Sequence, residues 1–209
     1  MNYMLLLWLG AVPLVLVAQI YMLGRRMSAP EKMLRPIPAG LTPQQQEIFS
    51  HYKDWLASID LQFRATFQFG SIQVAVFQQQ DQPRFLSFMF HQRLTFSAES
   101  YMQDLTILDT SSSGSIGLFP RPGAYAQSFP GISPQELWQR HLEGESQLTR
   151  KFGFQWVPIN RPYEELLADA MRVRMKFSRS QSFWPVRVLY RFFVTRHRIV
   201  NQTIAQQFP

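Results

Sequence analysis

No cysteine occurs in the 209 residues, and its absence excludes a disulfide scaffold, thiolate zinc sites, iron–sulfur clusters and every cysteine nucleophile. Charged residues make up only 17% of the chain, and acid is missing altogether from residues 170–209. That stretch holds eight basic residues, Arg172, Arg174, Lys176, Arg179, Arg187, Arg191, Arg196 and Arg198. The other 13 basic residues and all 14 acidic ones fall in residues 1–169, so the net charge of +7 belongs to the C-terminal part. The motifs of nucleotide and metal chemistry are absent too: there is no G-x-x-x-x-G-K-[ST], no G-x-G-x-x-G and no H-E-x-x-H. His141-Leu142-Glu143 has the H-x-E of a zinc deaminase without the P-C-x-x-C such an enzyme also needs.

What is abundant is aromatic: 14% of residues, 18 of them Phe, a content that argues for a packed core rather than a disordered chain. Residues Tyr3–Leu23 carry no charge over twenty-one positions, which at about 1.5 Å per residue reaches roughly 30 Å as a helix. The expectation is a transmembrane anchor over residues 1–24, with Trp8 and Tyr21 near its ends, Pro13 as a tolerated kink, and Arg25 and Arg26 closing it. A cleaved signal peptide fits less well, since no Lys or Arg precedes the apolar stretch. Arg25, Arg26, Lys32 and Arg35 face only Glu31, so the positive-inside bias predicts a single-pass inner-membrane protein with its N-terminus outside and its domain in the cytoplasm.

Pro30, Pro36 and Pro38 suit an extended, basic linker over residues 25–41. Thr42-Pro43-Gln44-Gln45 has the form of a capping box and predicts a helix over about 43–57. Alternation from Phe63 through Phe69 slips phase at Gly70, and Leu94, Phe96 and Ala98 alternate with Thr95, Ser97 and Glu99. With Leu105–Leu108 and Ile116–Phe119, this predicts about five antiparallel strands between 61 and 129. Ser133-Pro134-Gln135-Glu136 opens a further helix with Leu137, Trp138, His141 and Leu148 on one face and Gly153 at its end. The predicted fold is α+β: a transmembrane helix, a small antiparallel sheet covered by helices within a 42–157 domain, and a basic helical extension over 158–209.

No constellation of residues indicates catalysis, a metal or a cofactor. His51, His91, His141 and His197 are scattered, and His141 reads as a core histidine. Its use as a general base beside Asp104 or Asp109, on a sheet face shared with His91, is the alternative, enzymatic or ligand-binding, reading. The Ser/Gly loop at 111–115 and Pro120-Arg121-Pro122-Gly123 read as turns. Glu143, Glu145, Glu164 and Glu165 read as solvated or dipole-serving carboxylates.

The extension is more distinctive. A helix over Pro185–Gln206 would place Val186, Leu189, Phe193, Val200 and Ile204 opposite Arg187, Arg191 and Arg198, and the helix before it carries Arg172, Lys176 and Arg179 in a row. With Trp184 alongside, this is the composition of a basic amphipathic segment that contacts a lipid bilayer or an integral membrane protein partner. A helix packed on the domain with its arginines in solvent is the plainer alternative, and charge alone is too unspecific to favour nucleic acid. The functional expectation is a non-catalytic, membrane-anchored interaction protein, an accessory or scaffolding subunit of a larger complex.

Overall fold

A computed structural model describes residues 3–30, 33–38, 40–102, 104–113, 121–156 and 161–208, with side chains from Ala11 onward. The order along the chain is α1 (Tyr3–Met27), β1 (Leu34–Pro36), α2 (Pro43–Ser50), α3 (Lys53–Ser58), β2 (Leu61–Phe69), β3 (Ile72–Gln79), β4 (Arg84–Phe90) and β5 (Leu94–Tyr101). There follow β6 (Ile107–Ser111), β7 (Ala124–Ser128), α4 (Pro134–Phe152), α5 (Tyr163–Ser180), α6 (Trp184–Tyr190) and α7 (Ile204–Gln207). A π-helical turn (Arg191–Thr195) and a 3-10 turn (Arg196–Arg198) lie between α6 and α7. The seven strands form one sheet in sequence order. Neighbours are antiparallel as far as β6, and β7 lies parallel to β6.

The α+β class and the helical cover of the sheet stand, while the transmembrane helix, the number of strands and their all-antiparallel order are corrected. The sheet is mixed and has seven strands, because the proline-containing segment 34–36 adds an edge strand beside β2 and because Ala124–Ser128 returns parallel to β6. Proline is tolerated there because an edge strand leaves one side of its backbone unpaired. Among the described residues no helix is long and apolar enough to cross a membrane, which overturns the transmembrane helix. The helix itself forms, over Tyr3–Met27 with Pro13 inside it, but its last turns pack on protein. Ile20 and Met27 join a cluster with Met175, Trp184 and Val188, and Tyr21 lies 6.2 Å from Trp184, ring to ring. Gly24 makes the approach possible, since a Cβ there would stand 2.5 Å from the Trp184 ring. Trp8 falls where side chains are not described, and the strand expected at 116–119 lies outside the described residues.

Helices cover both faces of the sheet. One face carries α2, α3 and α4, where the Phe49 ring meets Phe88 and Phe77 edge-on at 4.8 and 5.1 Å, an arrangement that adds about 1 kcal/mol per pair to the burial of the rings. The other carries α5, whose Tyr163, Leu166 and Ala170 pack on Phe67, Val76, Phe85 and Tyr101. A bulge at Arg64 resets the phase of β2, so that Phe63 opposes Phe77 whereas Ala65 opposes Val76. Gly70, where the slip was expected, turns the β2–β3 hairpin with φ +61°, a left-handed conformation that favours glycine. The capping signals hold: Thr42 and Ser133 cap α2 and α4, and Gly153 ends α4 at φ +69°. The helix expected at 43–57 is broken at Tyr52 into α2 and α3.

Candidate functional site

Adjacent residues of β5 point to opposite faces, and at Glu99 and Ser100 each face holds a polar cluster. On the α4 side, His141 is completely buried. Its Nε2 lies 2.7 Å from Ser100 Oγ and its Nδ1 2.9 Å from Thr110 Oγ1. Ser100 donates its hydroxyl proton to Glu145, and Glu145 in turn receives Arg84 Nε at 3.0 and 2.9 Å and its Nη2 at 2.6 Å. Gln127 donates to Thr110 Oγ1 at 3.0 Å and to the Arg140 carbonyl at 2.8 Å. One tautomer satisfies every group: the Thr110 hydroxyl donates to Nδ1, and Nε2–H donates to Ser100. Burial pushes the Glu145 carboxyl up, but the His141 ring, whose Nε2 lies 3.5 Å away, and the hydrogen bonds from Arg84 outweigh it and bring the pKa from its ordinary 4.5 down to about 2.

This is not a nucleophile system. Ser100 gives its proton to a carboxylate rather than to the imidazole, Nδ1 meets Thr110 and no carboxylate among the described residues, and Ser100, Thr110 and His141 are all closed to solvent. Nor are the expected companions there. Asp109 lies on the opposite face, Asp104 bonds the backbone N–H and hydroxyl of Thr106, and His91 is exposed in the β4–β5 turn. Glu145, read from the sequence as solvated, is buried and ion-paired, whereas Glu143 is exposed beside Arg140.

On the α5 side, Glu99 stands directly across from Asp109 in the β5–β6 ladder. Tyr101 Oη donates to Glu99 at 2.5 Å, Ser97 Oγ donates to Asp109 at 2.8 Å, and Tyr163 and Arg174 of α5 face the pair. Burial, then the Asp109 charge, raise the Glu99 pKa to about 7 against the opposing pull of Tyr101 and Arg174. Burial also raises Asp109 above the usual carboxylate range. Arg174 acts on both carboxylates through its charge, and its Nε makes no hydrogen bond among the described residues. Reading Glu99 as the solvent face of an amphipathic strand hid this cluster; only coverage of both faces could have announced it. Among the described residues no group of His, Asp and Glu could hold a metal ion.

The third feature lies outside. The segment after α5 is not one amphipathic helix: Trp184 and Val188 are buried toward α1, while Val186 and Phe193, expected on the packed face, are exposed. Arg187 and Arg198 are exposed and Arg191 is half-buried. Arg172 pairs with Asp169 at 2.7 Å, and Lys176 and Arg179 lie on the outer side of α5. Leu14 is 70% exposed, Phe183 82% and Phe193 56%. Comparison with protein-family models, curated proteins and solved structures gave no match.

Proposed function

We propose that the chain is a non-catalytic docking protein, held at an anionic membrane surface by its N-terminal and C-terminal helices, with its helix-covered α+β domain turned toward an integral membrane protein partner. The observation that supports this reading is the set of large apolar side chains left bare on α1, α6 and the turn after it. Leu14, Val15, Tyr21, Met22, Phe183, Val186, Tyr190 and Phe193 are all exposed on helices that pack against one another. Burying several such rings is worth more than a scattered apolar surface would be. The occupant is identified by charge. Arg187, Arg191, Arg196 and Arg198 interleave with those rings and no acid occurs from residue 170 onward, which suits an anionic leaflet at about 1 kcal/mol per basic residue.

The full chain should pellet with phosphatidylcholine vesicles containing phosphatidylglycerol, and release should follow as salt rises above about 0.15 M. Changing Phe183 and Phe193 together to Ser should weaken binding by about tenfold or more, because rings that enter the interface each contribute on the order of 1 kcal/mol. Equal pelleting with and without the anionic lipid, or an unaltered double variant, would overturn the reading. So would burial of the same side chains in a dimer that sediments as such in the absence of lipid. Mild-detergent extraction should bring down an integral membrane protein with the chain.

A further inference from the structure

At the end of α1 a cavity of about 590 Å³ opens between the last turn of that helix, the segment leading to β1 and the β2–β3 hairpin. Arg25, Arg26 and Arg35 line it, with Met22, Met33 and Gln68. All three arginines are exposed, and none of them forms an ion pair among the described residues. We propose that this cavity binds the phosphate of an anionic phospholipid headgroup, a phosphomonoester above all, between Arg25, Arg26 and Arg35.

The inference rests on the membrane-docking reading and gives it a ligand. Guanidinium groups present paired N–H donors that match phosphate oxygens, and a doubly charged phosphomonoester can engage more than one of them at once. A helix C-terminus would ordinarily repel an anion through its free carbonyls. Here three of those carbonyls are occupied: Ser28 Oγ donates to Gly24 O at 2.8 Å, and the N–H groups of Ser28 and Ala29 donate to Arg25 O and Arg26 O at 3.3 and 3.0 Å. Gln68, whose side chain donates to Gly70 O at 2.8 Å, closes the hairpin side. Glu31 is the single acid in residues 1–46, against Arg25, Arg26, Lys32 and Arg35, so the local balance stays positive. Met22, itself one of the exposed side chains of α1, and Met33 give the cavity apolar walls, against which the glycerol and the first acyl carbons of a lipid would lie.

The test uses the full chain and vesicles of phosphatidylcholine doped either with phosphatidic acid or with phosphatidylserine to the same surface charge. Tighter binding to phosphatidic acid is expected. Arg26→Gln combined with Arg35→Gln should remove that preference, a loss of about tenfold or more on phosphatidic acid vesicles, while Arg150→Gln, which removes a charge from the outside of α4, should leave the preference intact. Equal binding to both lipids by the parent chain, or a preference that survives the double variant, would overturn the site even if general anionic binding persists; the Phe183 and Phe193 variant tests that separately. Competition at equal concentration by soluble glycerol phosphate would show the ligand to be a free phosphate ester and would overturn the lipid assignment.

Discussion

Ser100 and Glu99 are neighbours in one strand, and the clusters around them bury charge in opposite ways. On the α4 face a single carboxylate meets a three-bond grip from Arg84 and a serine donor, and every polar atom of His141 has a partner. On the α5 face two carboxylates lie side by side, with the charge of Arg174 offsetting them only in part. The first arrangement holds its charge, whereas the second relieves its charge most easily by taking up a proton. A sheet covered on both sides can therefore carry a rigid wall and a titratable wall on the same two strands.

The sharpest way to break the comparison is to remove the grip. Arg84→Met leaves Glu145 ionised, 4% exposed and without its guanidinium, which should lower unfolding free energy by about 3–4 kcal/mol near neutral pH. Adding Glu145→Gln, which keeps an acceptor for Ser100, should recover most of the loss in a urea titration. If the double variant is no more stable than Arg84→Met alone, the pair is not what holds this wall.

The two faces should also answer pH with opposite signs. Glu145, lowered from 4.5 to about 2, stabilises the fold above pH 4.5 and loses that contribution as pH falls toward 2. Glu99, raised from 4.5 to about 7, binds its proton better in the folded chain than in the unfolded one. Stability is accordingly retained below pH 4.5 and falls as pH rises through 7, by about 3 kcal/mol for a shift of this size. Asp109, raised as well, acts in the same sense. Unfolding free energy should thus be greater near pH 5 than at pH 8, and Glu99→Gln should flatten the difference. A variant that keeps the full alkaline slope would place the titration elsewhere.

His141→Ala tests the α4 wall more gently. It opens a cavity beside Trp138, whose ring stacks on the imidazole at 5.9 Å, and leaves Thr110 and Ser100 each short of a partner, for about 2 kcal/mol. The effect should appear in the melting temperature, with vesicle binding unchanged after correction for the folded fraction. Undiminished stability together with lost binding would contradict a structural role.

How much of this was legible follows from which residues speak locally. Thr42, Ser133 and Gly153 announce their helix ends because capping needs only a side chain and a few neighbouring amides. His141 reads correctly as core because it shares a helical face with Leu137, Trp138 and Leu148. Glu99 and Glu145 do not: a lone carboxylate in an alternating strand or on a helix signals solvent until its partners, 61 residues away for Glu145 and Arg84, are known. The end of the chain misleads for another reason. Its apolar residues are frequent enough that Val186 and Phe193 fit a helical stripe as well as Trp184 and Val188 do, and only contact with α1 selects the second pair.

That contact yields the smallest effect, and it tests whether the α5 side is a separable unit. Gly24→Ala would place a methyl carbon 2.5 Å from the Trp184 ring and 2.8 Å from Met175 Cε. The methionine can move aside, but a ring buried against Val188 cannot move far, so overpacking costs about 1–3 kcal/mol. Replacing a helical glycine by alanine returns up to about 1 kcal/mol in helix propensity. The net change should be a loss near 1 kcal/mol, concentrated where α1 meets α6: Trp184 emission should shift to longer wavelength as the ring gains water, while the amide protection of β4 and β5 stays as in the parent. If protection of the central strands falls together with that of α1, the helical face and the sheet unfold as one, and the two walls do not separate.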